Sequence, residues 1–294
     1  MSRELLSRRN PVSVRLALLT VVAVTCVSGS RSVVAATSAA SEDDQSKNTF
    51  YALAFSTGVG ELWAIEVNGA KVTTTDIGPI HAPGCATLAT SPSGTLMSMC
   101  GPLIPGDQQL TSFDTRTGQA TLFGVHITGL SVMAMAFGPD GTLYAVGGCY
   151  PTATPLNTDC NNADPNFNTL YTVNVATGAF TRVGSMGGSE FFMDLAVDRH
   201  GTLWGVTSCL NPCYAPAVLY RINPETGKAT NPVNLVGSST VMGITFARNG
   251  KLYATDFTGN SGLYVVDPKT GFESAIAAMP FGLSAGLDLA DPLP

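Results

Sequence analysis

Apolar and polar positions along this chain alternate in short runs that recur with a period near 50 residues. Residues 86–100, 132–146, 193–207 and 241–255 each read as an apolar run, a polar turn ending in glycine, and a second apolar run. Each leads to a third run built like Leu170-Tyr171-Thr172-Val173, a Thr-Gly turn, and a fourth run. The hairpin glycines Gly94, Gly141, Gly201 and Gly250 step by 47, 60 and 49 residues. The glycines after the third runs, Gly69, Gly118, Gly178, Gly227 and Gly271, step by 49, 60, 49 and 44. Both ladders lengthen at the same place, so 147–169 carries an insertion. No window sustains a 3.6-residue period, so no long helix is expected.

A period of this length with four short strands is that of a β-propeller blade. The pattern predicts an all-β fold, a five-bladed propeller of four-stranded blades. Its ends predict how the ring closes. Phe50-Tyr51-Ala52-Leu53 matches a second strand, and Gly286-Leu287-Asp288-Leu289-Ala290 matches a first. The C-terminal strand is therefore expected to pair with the N-terminal three and complete blade one, removing an edge open to aggregation.

Composition adds the compartment. Arg3, Arg8, Arg9 and Arg15 precede the apolar stretch Leu16–Gly29, which is short for a membrane span, and Val33-Val34-Ala35 offers small residues for cleavage. We read 1–35 as a secretory signal peptide, 36–49 as a disordered spacer and 50–294 as one propeller domain, secreted, periplasmic or at the cell surface. Residues 1–35 hold five of the 15 basic and one of the 21 acidic residues, leaving 10 and 20. That acidic balance excludes nucleic acid and, once the signal is cleaved, the membrane as partners. A monomer is expected.

Removal of Cys26 with the signal leaves six cysteines in three local pairs. Cys85 and Cys100 flank one hairpin turn, where opposite residues sum to 185, and are expected to bridge. Cys149 with Cys160, and Cys209 with Cys213, would close two loops. The loops between second and third strands and between blades share one face of the ring, and the short turns share the other. The first is the expected working face, because bridged loops on a rigid scaffold are where function concentrates.

On that face we single out His81 and His126, placed in the connections into blades two and three, together with Tyr150, Tyr214, Glu190 and Asp194, as ligand-binding candidates. Phe167, Phe191, Phe192 and Phe257 add aromatic surface. Asp194 breaks the repeat, since the other blades carry Thr87, Ala134, Gly243 and Gly286 there. One reading makes it a cap for backbone N–H groups; another groups Glu190, Asp194 and Asp256 as an oxygen site for a Ca²⁺-like cation. No other cofactor is implied. Nucleophile elbows, zinc-protease motifs and phosphate loops are missing.

The units 135–145 (MAFGPDGTLYA) and 170–184 (LYTVNVATGAFTRVG) resemble the repeats of secreted bacterial propeller proteins related to the NHL, YVTN and streptogramin-lyase-like groups, many of unknown function. The resemblance covers about 50–290 and implies the fold, and it carries no catalytic residue across. Two functions are expected to compete: a non-enzymatic module binding a carbohydrate, peptide or protein, and a metal-dependent lyase or hydrolase with acidic residues at the channel mouth.

Overall fold

The computed structural model describes residues 47–56, 59–102, 107–128, 130–148, 167–188, 190–208, 216–237, 240–256, 261–281 and 284–293. They form five four-stranded antiparallel sheets in a ring. Blade one contains β1 (Lys47–Ser56), β2 (Val59–Asn68) and β3 (Lys71–Pro79). Blade two is β4 (Ala89–Thr90), β5 (Leu96–Cys100), β6 (Asp107–Phe113) and β7 (Ala120–Thr128). Blade three is β8 (Ser131–Phe137), β9 (Leu143–Gly148), β10 (Thr169–Val173) and β11 (Phe180–Ser185). Blade four is β12 (Phe191–Val197), β13 (Leu203–Ser208), β14 (Val218–Ile222) and β15 (Ala229–Asn234). Blade five is β16 (Val241–Phe246), β17 (Leu252–Asp256), β18 (Gly262–Val266) and β19 (Glu273–Ala278). The last strand, β20 (Ser284–Leu289), supplies the inner strand of blade one by pairing with β1, Phe50 opposite Leu289 and Ala52 opposite Leu287.

The ring thus closes as the sequence predicts. Strand β1 begins at Lys47, three residues before the expected domain start, because β2 is long enough to pair Lys47 with Asn68. The insertion falls between β9 and β10, and its residues 149–166 lie outside the described residues, as does the segment 1–46.

The core is divided among the blade junctions. Five apolar clusters each combine side chains of two neighbouring blades, such as Leu110 and Met99 with Val132 and Met135 between blades two and three. Phe50, Phe192, Leu53 and Leu62 are among the largest fully buried side chains. Each such side chain contributes roughly 1.5–3 kcal/mol by leaving water, which explains why the inner strands are apolar on both faces.

Polar latches align the blades. Gln108 and Asn168, 60 residues apart, hold equivalent places in blades two and three. The Gln108 Oε1 accepts the N–H of Val132 at 2.6 Å, and the Asn168 Oδ1 accepts that of Phe192 at 3.3 Å. Each thereby ties its blade to the next inner strand. On the outside, the turn joining the third and fourth strands of one blade docks on the outer strand of the blade before. Val125 N–H donates to Thr177 O at 2.9 Å, and Val236 N–H to Gly271 O at 2.8 Å. Gly227, at φ +77°, is required at one such junction, since a Cβ there would lie 2.5 Å from the Gly184 carbonyl oxygen. At Gly69 a Cβ would meet nothing within 4 Å, and the junction of blades five and one is packed by the cluster containing Phe50, Tyr253 and Leu287.

Cys85 and Cys100 form the expected disulfide, with Cα atoms 4.1 Å apart. Closing a loop of 15 residues contributes ~3 kcal/mol in the chain-entropy view. The β4–β5 ladder pairs Ala89 with Met97 and Thr90 with Leu96, which sums to 186, one more than the expected register. Other inner strands show the cause. A bulge shifts the pairing by one between Val132 and Ala134, Phe192 and Asp194, and Val241 and Gly243. The cysteines lie at the far side of the equivalent shift.

Candidate functional site

The bulges shape the central axis. The residues they skip are Met133, Met193 and Met242. A bulge re-aims a side chain, and these three meet Ala86 of blade two in one buried cluster, with Phe191 packed against it. Four blades therefore contribute to an apolar plug at the loop end of the axis. Phe191 also meets Phe167 edge to face, with centroids 4.8 Å apart.

Asp194 lies on the turn side of this plug and is fully buried. Its Oδ1 accepts the N–H of Leu195 at 2.9 Å, and its Oδ2 that of Ile244 at 2.8 Å in blade five. The N–H of Leu287 in blade one also lowers the cost of its charge. Burial still pushes the carboxyl well above the ordinary carboxylate range, against these hydrogen bonds, and nearby Asp288 adds to the rise. The small neighbours noted in the repeat make this possible. A Cβ on Gly243 would lie 2.7 Å from the Leu287 nitrogen, so the side chain that reaches across must come from one blade only. Asp194 is thus a bracket joining blades four, five and one.

The other acidic candidates are held elsewhere. Asp256, buried at the end of β17, accepts the N–H of Gly262 at 2.7 Å and the hydroxyl of Tyr264 at 3.0 Å. Burial first, then the Asp256 charge, pushes the Tyr264 phenol up to about 12. Glu190 is partly exposed, and its carbonyl accepts from Asn168 Nδ2 at 2.7 Å. Among the described residues no three His, Cys, Asp or Glu side chains converge as metal ligands would. Glu190, Asp194 and Asp256 are not brought together, and the Asp194 oxygens already serve backbone donors.

His81 is exposed with φ at +51°. His126 lies within outer strand β7 and not in a connection as expected, with Nδ1 3.0 Å from Oδ1 of Asp107 at the surface. Phe192 packs in the core against Tyr220 and offers no aromatic platform. Tyr150, Tyr214, Phe257, Cys149, Cys160, Cys209 and Cys213 lie outside the described residues.

The turn end of the axis differs from expectation. The turns there are short, yet a hollow of ≈ 60 Å³ opens where they meet. Its floor is made by the small inner-strand residues Ala136, Ala196 and Thr245, with Asp288 among them. Asp288 is half-buried. It accepts the N–H of Thr90 and, at 3.2 Å, the hydroxyl of Thr245. Burial raises its carboxyl to about 6. Sequence reasoning passed over this residue, though the signal existed. Its repeat partners are Ala89, Ala136, Ala196 and Thr245, so a carboxylate stands out there as Asp194 does in its own ring.

No protein-family description matches the chain, and no curated protein sequence does. Solved structures similar to it share little of its sequence. A gluconolactonase from Xanthomonas campestris shares 16% identity over 83% of this chain and 79% of its own, with a TM-score of 0.46. A virginiamycin B lyase from Staphylococcus aureus shares 14% over 81% and 72%, at 0.42. A protein of unknown function from Bacteroides thetaiotaomicron shares 15% over 84% and 68%, at 0.49. The likeness concerns the fold alone. The strand topology makes this chain a five-bladed β-propeller.

Proposed function

We propose that the chain is a secreted, non-enzymatic binding propeller that engages a carbohydrate, peptide or protein through its loop face. The observation that carries this reading is the methionine plug. Met133, Met193 and Met242 pack together at the loop end of the described inner strands, and Asp194 is spent on backbone donors, so the centre there is apolar and filled. Recognition then falls to the rim and the loops. A disulfide in blade two agrees with an exported protein. Among the described residues no helix is long and apolar enough to cross a membrane.

The test is a screen of immobilised protein lacking residues 1–35 against glycan and peptide arrays. A ligand found there is then measured against loop-face changes at His81, Tyr150, Glu190 and Tyr214. Loss is expected with these, and no change with Arg116, Asp140 or Lys269 in turns on the other side. Binding that survives all loop-face changes would refute the reading.

A further inference from the structure

The hollow at the turn end of the axis has no part in loop-face recognition, and its chemistry is specific. Its walls are largely apolar, with Phe137, Val197, Phe246 and Leu293, and Pro92 and Pro139 are exposed at the rim. Its base holds one carboxylate, Asp288, beside the hydroxyl of Thr245. A second acid on the wall, Asp198, is already engaged. Its Oδ1 accepts the N–H groups of His200 and Thr202, both at 2.9 Å, and its Oδ2 accepts Trp204 Nε1 at 3.0 Å. The cation on the wall, Arg199, lies against Gly250 and directs its Nε at the His200 ring, 3.3 Å away. Asp288 takes part in none of the ion pairs among the described residues.

A half-buried carboxylate that takes part in no ion pair is poorly compensated, and a cation that entered the hollow would relieve it. The donor set selects which kind. Calcium takes six to eight oxygen ligands, and one carboxylate with a hydroxyl falls well short. A guanidinium asks for a planar pair of acceptors, whereas both Asp288 oxygens already accept a donor, leaving scattered lone pairs. An ammonium head needs only a few such acceptors, and its alkyl stem matches apolar walls. The volume of ≈ 60 Å³, about the share of two liquid waters, takes an ammonium head and its first methylene, with the rest of the stem along the rim. We propose that the hollow above Asp288 binds an alkylammonium group, from either a free aliphatic amine or a lysine side chain, at a site separate from the loop face.

The experiment titrates the full chain with n-propylammonium, N-acetyl-lysine methylamide, tetramethylammonium and Ca²⁺, followed by calorimetry and amide NMR. Saturable binding of at least one of the first two is expected, with shifts at Ala136, Ala196, Thr245 and Leu289. Tetramethylammonium, which has no N–H, should not bind. Tighter binding of propylammonium points to a free amine, and tighter binding of the lysine derivative to a side chain. Asp288→Asn should weaken the interaction ~10-fold or more, the scale of a hydrogen bond to a charged group. The proposal is overturned by the absence of saturation with both amines, by preference for Ca²⁺, by unchanged affinity in Asp288→Asn, or by shifts confined to the loop face. Should Asp288→Asn not fold, the shift map of the unaltered chain decides alone.

Discussion

The two ends of the propeller axis are built from the same inner strands and have opposite characters. At the loop end, three methionines aimed by bulges fill the centre, and Asp194 beneath them touches no water. At the turn end, alanines and a threonine leave the centre open, and Asp288 faces a hollow. Both aspartates accept backbone N–H groups from neighbouring blades. What separates them is the bulk of the residues one or two positions along the strand. A carboxylate under long side chains becomes a structural bracket, and the same group among small ones retains access to a ligand.

The largest effect is expected where both ends depend on one element. Deleting Ser284–Pro294 removes Asp288 and the Leu287 N–H that serves Asp194, and leaves β1 as an open edge. Cooperative unfolding in urea should vanish and aggregation should follow. A truncated chain that melts like the intact one would show that the seam does not hold the ring.

The contrast between the aspartates comes next. Asp194→Ala strands at least two buried N–H groups, each costing about 1–3 kcal/mol, so a loss of about 4 kcal/mol is expected. Asp288→Ala should cost about 1 kcal/mol, because water entering the hollow can serve the Thr90 N–H. Equal costs in urea denaturation would erase the proposed difference between the two ends.

The plug itself can be probed by shape. Met193→Ala leaves a cavity and should cost about 3 kcal/mol. Met193→Leu keeps the volume and should cost less than ~1.5 kcal/mol. If both changes are silent, the plug is loosely packed and the loop end is open after all.

The contrast also carries a pH dependence. The Asp288 carboxyl titrates near 6 in the fold against 3.8 in the unfolded chain. Its folded form therefore holds the proton more tightly, and its contribution to stability is complete below 3.8 and lost as pH rises through 6. Asp194 shifts in the same direction. Asp288→Asn, neutral throughout, should lose less stability than the unaltered chain between these pH values. A Tm difference between the two proteins that stays flat over this range would contradict the assignment.

Much of this architecture was legible before any coordinates. Glycine spacing exposed the blades and located the insertion, and Cys85 and Cys100 were found by counting outward from a turn. The register was misjudged by one because a bulge has no side-chain signature: Met133, Met193 and Met242 read as ordinary members of apolar strands. His126 lies in β7 and not in a connection, because β7 is an outer strand facing solvent and its mixed polarity hides it in the sequence. Asp194 was legible as an exception to the repeat, and backbone capping was among its readings. Asp288 carried the same signal and was passed over, because short turns on its face suggested that no hollow could form there.

The number of blades, the strand that closes the ring and the bridge in blade two can all be read along the chain. All three depend on periodicity and on short separations along the chain. Which end of the axis is sealed was decided only by the tertiary structure. The axis is lined by single residues from five blades, nearly 50 positions apart. Whether they fill it or leave room depends on a one-residue shift in each inner strand, and only packing the strands together reveals it.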